Sequence, residues 1–135
     1  MESITVNAKL DALDAVTEFI DAQLARYGCS EMTQLEIHLA VEEIFVNITS
    51  YAYHPKEGKA EIRCEVLEDP LRVVIQILDS GKPFDPLAQE TADTSEEALI
   101  GREGGLGILL VCSTMDNVSY SYENGKNILT ILKTL

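Results

Sequence analysis

The sequence predicts an α+β fold in two layers: one mixed, mostly antiparallel sheet with helices packed on a single face. Three features point to it. Segments patterned as strands and helices follow in the order strand, helix, helix, two strands, helix, two strands. Both adjacent strand pairs are joined by turn sequences, Asp69-Pro70 and Asn124-Gly125. At 135 residues the chain suits one domain, 1–135, large enough to bury about two-thirds of its unfolded surface.

Ile4, Val6 and Ala8 alternate with polar residues between Ser3 and Leu10, as in an edge strand. Leu13, Val16, Ile20, Leu24 and Tyr27 then give an amphipathic helix stopped by Gly28. Thr33 and Glu36 form a T-x-x-E capping box, so a second helix is expected from there to about Tyr51. On it Ile37, Val41, Ile44, Phe45 and Ile48 form a core face, and Leu35, Leu39 and Val46 a further apolar stripe. Two polar stripes lie between apolar ones: Glu36, Glu43, Asn47 and Ser50, and His38, Glu42 and Thr49. The helical wheel leaves open which of them faces a ligand. The run from His54 to Gly58 breaks the helix, and strands Ala60 to Glu68 and Leu71 to Leu78 form a hairpin that delivers Asp79 to the end of the sheet. After a polar stretch, Gly104 opens a helical segment to Met115, and Asn117 to Tyr122 and Asn127 to Lys133 make the last hairpin.

Ten Lys and Arg against 23 Asp and Glu give a net charge of −13, which argues against direct binding to nucleic acid or anionic lipid and suits a basic partner. Cys29, Cys64 and Cys112 are widely spaced among apolar residues and read as reduced core thiols. His38 and His54 have no metal-ligand spacing. Neither a basic leader nor an apolar run of membrane-spanning length appears, so a soluble, cytoplasmic protein is expected.

The chemistry concentrates between Asp79 and Val111. An apolar strand ends in Asp79, Ser80 and Gly81, and about 20 residues later Gly104, Gly105 and Gly107 precede an apolar helix. Glycines at a helix start let backbone N–H groups approach an anion where the helix dipole favours negative charge. This is the pattern of a nucleotide site with an intervening lid.

Three blocks stand in order: E-x-x-x-N at Glu43 to Asn47, D-x-G-x-P-F-D at Asp79 to Asp85, and G-G-L-G at Gly104 to Gly107. Together they resemble the ATPase superfamily of gyrase, the heat-shock chaperone, MutL and the histidine kinases (the Bergerat ATP-binding fold). They are most similar to its small stand-alone branch, the anti-sigma-factor serine/threonine kinases of bacteria. The resemblance covers nearly the whole chain and implies ATP and Mg²⁺ as cofactors. It implies that Asn47 places its side-chain oxygen on Mg²⁺ and that Glu43, one turn earlier, is the general base for the attacking hydroxyl. Asp79 would accept the exocyclic amine of adenine, Gly81 would let the base approach, and Pro83 and Phe84 would stiffen the loop and fill one wall. Gly104, Gly105, Leu106 and Gly107 would give backbone donors to the phosphates, and Arg102 would reach the terminal phosphate. Related kinases carry His four residues after the magnesium Asn, where this chain has Tyr51, able to fill the same space and to donate a hydrogen bond. The acidic lid between Pro86 and Gly101 is expected to be mobile without nucleotide.

The function implied is an ATP-binding anti-sigma factor and serine/threonine protein kinase, with a sigma factor and an anti-sigma-factor antagonist protein as partners and homodimerisation left open. The retained Glu43 favours it over the alternative, a non-catalytic, nucleotide-gated protein-binding module. A dinucleotide-binding unit fits less well, because GGLG lacks the G-x-G-x-x-G order and has no strand directly before it.

Overall fold

The computed structural model describes residues 1–53, 56–87 and 105–135. Strand β1 (Glu2–Asn7) leads through a 3₁₀ turn (Leu10–Ala12) into helices α1 (Leu13–Leu24) and α2 (Glu31–Asn47), and α2 continues as a π-helical turn (Ile48–Ala52). Strands β2 (Lys59–Leu67) and β3 (Arg72–Asp79), helix α3 (Gly105–Thr114) and strands β4 (Asn117–Glu123) and β5 (Lys126–Thr134) follow. The sheet order is β1-β2-β3-β5-β4, and all four pairings are antiparallel. No parallel pair arises among them because β5, not β4, lands beside β3 once the chain has crossed over α3.

Register explains how the core is built. Ile4, Ile62, Ile77, Leu129 and Tyr120 form one row across the sheet, and the next inward row ends in Ala60, Asp79 and Asn127. Side chains alternate faces along a strand, so this row puts two polar groups on the helix-covered face. The helices cover the rest: Val16, Ile20 and Leu24 of α1, Ile37, Val41 and Phe45 of α2, and Val111 of α3 are all buried. Burial pushes the Cys64 thiol up to about 12, with Glu2 adding to the shift, so it stays protonated and inert. Tyr27, expected on the buried side of α1, is instead exposed, because α1 ends at Leu24 and the backbone turns there. The N–H groups of Tyr27 and Gly28 both bond to the Leu24 carbonyl, and Gly28 takes the left-handed conformation that closes the helix.

The start of α2 differs from the sequence expectation. Ser30, not Thr33, is the N-cap: its Oγ accepts the Thr33 N–H at 3.1 Å, and its carbonyl already receives the Gln34 N–H. The Thr33–Glu36 box does not form, since Glu36 turns to Lys133 of β5 at 3.4 Å. Ser30→Ala should therefore destabilise the protein by about 1 kcal/mol in denaturant titration, and Thr33→Ala by clearly less. The closing hairpin is as expected: Asn124 and Gly125 both have positive φ, as a two-residue I′ turn needs.

Candidate functional site

At the end of β3 the sheet stops being apolar. Asp79 and its strand neighbour Asn127 are each only 7% exposed. One oxygen of Asp79, Oδ1, accepts the Gly81 N–H at 2.9 Å and the Asn127 amide at 3.0 Å. Its Oδ2 has no hydrogen-bond partner among the described residues. The carboxylate is thus fixed through one oxygen, with the other left for a ligand donor.

Asn127 did not stand out in the sequence as more than a hairpin residue, yet it organises this end of the sheet. Its Nδ2 donates to Asp79 and, at 2.9 Å, to the Lys82 carbonyl. Its Oδ1 accepts the Phe84 N–H at 3.1 Å and a short hydrogen bond from the Tyr120 hydroxyl. All four bonding positions of the amide are used. A signal for it existed: 127, 129 and 131 share one strand face, and a polar residue in line with Leu129 and Ile131 must find buried partners. Burial pushes the Tyr120 hydroxyl's pKa up, and Asp85 and Asp79 add to the shift, so Tyr120 stays a donor.

The loop after Asp79 rests on the π-helical turn. Gly81 packs so closely on Ala52 that a Cβ there would overlap the Ala52 carbonyl, and the Lys82 N–H donates to that same carbonyl at 3.3 Å. Tyr53 holds the other side: its hydroxyl accepts the Ser80 N–H at 2.7 Å and donates to the Lys59 carbonyl at 2.6 Å, while its ring lies against Gly58. The sequence reading of Gly81 assigned its small size to ligand approach; in the structure the backbone of residue 52 also requires it.

The two polar stripes of α2 now separate. His38 turns toward α1, 2.5 Å from Asp21, which also accepts from Gln34. Glu36, Glu43 and Asn47 turn the other way, toward α3 and β5. The Glu43 carboxylate lies directly against Gly107 in the first turn of α3, where any Cβ would overlap it. Asn47 lines an open cleft of about 570 Å³, solvent-facing space included. Ile44, Ile77, Ile108 and Leu129 make its apolar walls, and Asp79, Lys82, Tyr120 and Asn127 its polar parts. Tyr51 also lines it, in keeping with a residue that fills space there. Phe84 and Pro86 contribute to the wall, whereas Pro83 is exposed and outside the lining.

Of the glycine block, Gly105 begins α3 and Gly107 follows in its first turn. The lid expected between Pro86 and Gly101, Arg102 and Gly104 fall at 88–104, outside the described residues apart from Pro86 and Leu87, and so does the side chain of Leu106. An apolar slot with one fixed carboxylate suits a flat base bearing an exocyclic donor, and a helix start suits phosphates. Gly107→Ala should displace the Glu43 carboxylate. In a phosphoryl-transfer assay it is expected to reduce turnover at least about tenfold, because the methyl group meets that carboxylate.

Comparison with known proteins agrees with this geometry. A family model described as the histidine kinase-like ATPase domain matches residues 6–133. The chain is 30% identical over 129 residues to the serine-protein kinase RsbW of Staphylococcus aureus strain bovine RF122 / ET3-1, a match covering 91% of this chain and 80% of that protein. The protein of the same name from strain MRSA252 is similar to the same extent. Among solved structures, the histidine kinase domain of the blue-light activated histidine kinase from Erythrobacter litoralis EL346 superposes with a TM-score of 0.60 at 15% identity, over 93% of this chain. The chain spans 60% of the length of that structure. Histidine kinase AdeS of Acinetobacter baumannii gives 0.53 at 16% identity, over 99% of this chain and 68% of that one. At these identities the structural likeness is one of fold, whereas the sequence matches carry the family: the chain belongs to the histidine kinase-like ATPase domain family, alongside the RsbW serine-protein kinases.

Proposed function

We propose that the chain is an ATP-dependent serine/threonine protein kinase that also acts as an anti-sigma factor, phosphorylating a small antagonist protein in a bacterial partner-switching circuit. The observation that carries the reading is the position of Glu43. It sits one helical turn before Asn47, and its half-buried carboxylate lies against the first turn of α3. A module that only bound nucleotide would have no use for a carboxylate beside the phosphates, where it costs binding energy.

In this reading Asp79 Oδ2 accepts the exocyclic amine of adenine, and Asn127 holds the carboxylate in place for it. Guanine presents a carbonyl at that position and is refused. The N–H groups at the start of α3 take the phosphates, and Gly104 and Arg102 complete the set. The donor set fits Mg²⁺. Among the described residues no group of three or more His, Cys, Asp or Glu is placed to hold a metal, and the oxygen of Asn47 suits an ion that draws most of its ligands from phosphates and water. Bound there, Mg²⁺ would neutralise charge on the phosphates. Glu43 orients the serine or threonine hydroxyl of the partner and accepts its proton as the oxygen attacks the γ-phosphorus, and ADP leaves with the bridging oxygen. Among the described residues no helix is long and apolar enough to cross a membrane, which is compatible with action in the cytoplasm.

The test is transfer of labelled phosphate from ATP to the small antagonist protein of the same circuit. Mg²⁺-dependent labelling on serine or threonine supports the reading. ATP binding without any labelling would replace it with the nucleotide-gated binding module.

A further inference from the structure

The inner face of α2 is fully used: Ile37, Val41, Ile44 and Phe45 are buried against the sheet. Its outer face is not wholly polar, as a helix at a protein surface ordinarily is. Met32, Leu35 and Leu39, at positions i, i+3 and i+7, are 65%, 51% and 38% exposed, and Val46, half-buried, continues the line. Single exposed leucines are ordinary; a row of them along one helix is the pattern of an unfilled contact.

The charge around the row is one-sided. Helices α1, α2 and α3 contain no Lys or Arg. They carry seven carboxylates, Asp14, Glu18, Asp21, Glu31, Glu36, Glu42 and Glu43. Asp21, Glu36 and Glu43 are engaged within the fold, while Asp14, Glu18, Glu31 and Glu42 are exposed.

We propose that the outer face of the helical layer, the Met32–Leu35–Leu39 row of α2 within this carboxylate field, is a docking surface for a basic, amphipathic helix of a partner protein. Spacing of i, i+3 and i+7 is what a second helix offers and receives in side-by-side packing. The field selects the occupant. A second copy of this face would bring like charges together, and an anionic lipid surface would be repelled, so the segment that covers the row must carry Lys or Arg beside its apolar stripe. The surface is separate from the nucleotide slot, and its loss would leave the kinase reading standing.

The test uses the full chain and two synthetic helices with the same leucine stripe, one flanked by Lys and Arg and the other by Glu and Asp, with binding read by fluorescence anisotropy. The basic helix is expected to bind, the acidic one not to, and binding should weaken as salt rises. The double variant Leu35→Ser/Leu39→Ser should bind the basic helix about tenfold or more weakly. Leu10→Ser, which alters a still more exposed leucine outside the three α-helices, should bind as wild type does. Unchanged circular dichroism and ATP affinity in the double variant establish that it is folded. Hydrogen exchange on the wild-type chain gives an independent readout: protection by the basic helix should fall on residues 31–42. Equal binding by the double variant, equal binding of a basic helix whose leucines are replaced by serine, or protection elsewhere would overturn the proposal. So would wild-type self-association that the double substitution abolishes.

Discussion

Glu43→Gln should lower phosphoryl transfer by about 10²- to 10⁴-fold, the range that a positioned general base contributes. ATP affinity should stay within about a factor of three. Gln has nearly the same shape as Glu and keeps the contact with Gly107, so the cleft is not rebuilt. What disappears is the group that takes the hydroxyl proton. A rise in KM for ATP with kcat unchanged would mean that Glu43 acts in binding, and wild-type turnover by the variant would remove it from the chemistry. Gly107→Ala provides the complementary perturbation, because it moves the carboxylate without deleting it.

Asn127→Asp should have the largest effect of any substitution away from the phosphates. The change replaces the amide that donates to Asp79 and to the Lys82 carbonyl with a group that accepts. Two carboxylates about 3 Å apart cannot both ionise without strong repulsion, so one would take up a proton or the strands would part. Either outcome removes the fixed Asp79 carboxylate. ATP affinity is expected to fall by at least about tenfold, with a loss of stability on the order of 1–3 kcal/mol from donors and acceptors left unsatisfied. Asn127→Ala should show the smaller of the two losses in affinity. It strands the Phe84 N–H and the Lys82 carbonyl but puts no second carboxylate beside Asp79. Calorimetry with ATP and a denaturant titration on the same samples separate the two effects. If both variants bound ATP as the wild type does, the Asp79–Asn127 pair would have no part in the site.

Much of this site was legible before any coordinates. Asp79, Glu43 and Asn47 were singled out by three ordered motifs and the resemblance they carry, and the buried residues Ala60, Ile62 and Cys64 of β2 were plain from alternation. The parts that were not legible depend on contacts between distant segments. The helical wheel placed Glu43 and His38 on equivalent polar stripes, and only the neighbours differ: Gly107 of α3 beside one and Asp21 of α1 beside the other. Asn127 was read only as the first residue of the last strand, and its bonds to Asp79, Lys82 and Phe84 span more than 40 residues of sequence. Tyr53 was given no role, yet it ties the β2 start to the loop after β3. The cap of α2 was misplaced by three residues because Thr33 and Glu36 satisfy a local pattern, while Lys133 on the last strand takes Glu36 away from it.

The most direct test of the account is ATP binding by calorimetry, with and without Mg²⁺, on the wild-type chain and on Asn47→Ala. The account predicts that Mg²⁺ strengthens binding to the wild type and that the variant loses this enhancement while keeping the weaker, metal-independent affinity. Failure of the wild type to bind ATP under either condition would contradict it and leave a fold that retains the motifs without the ligand.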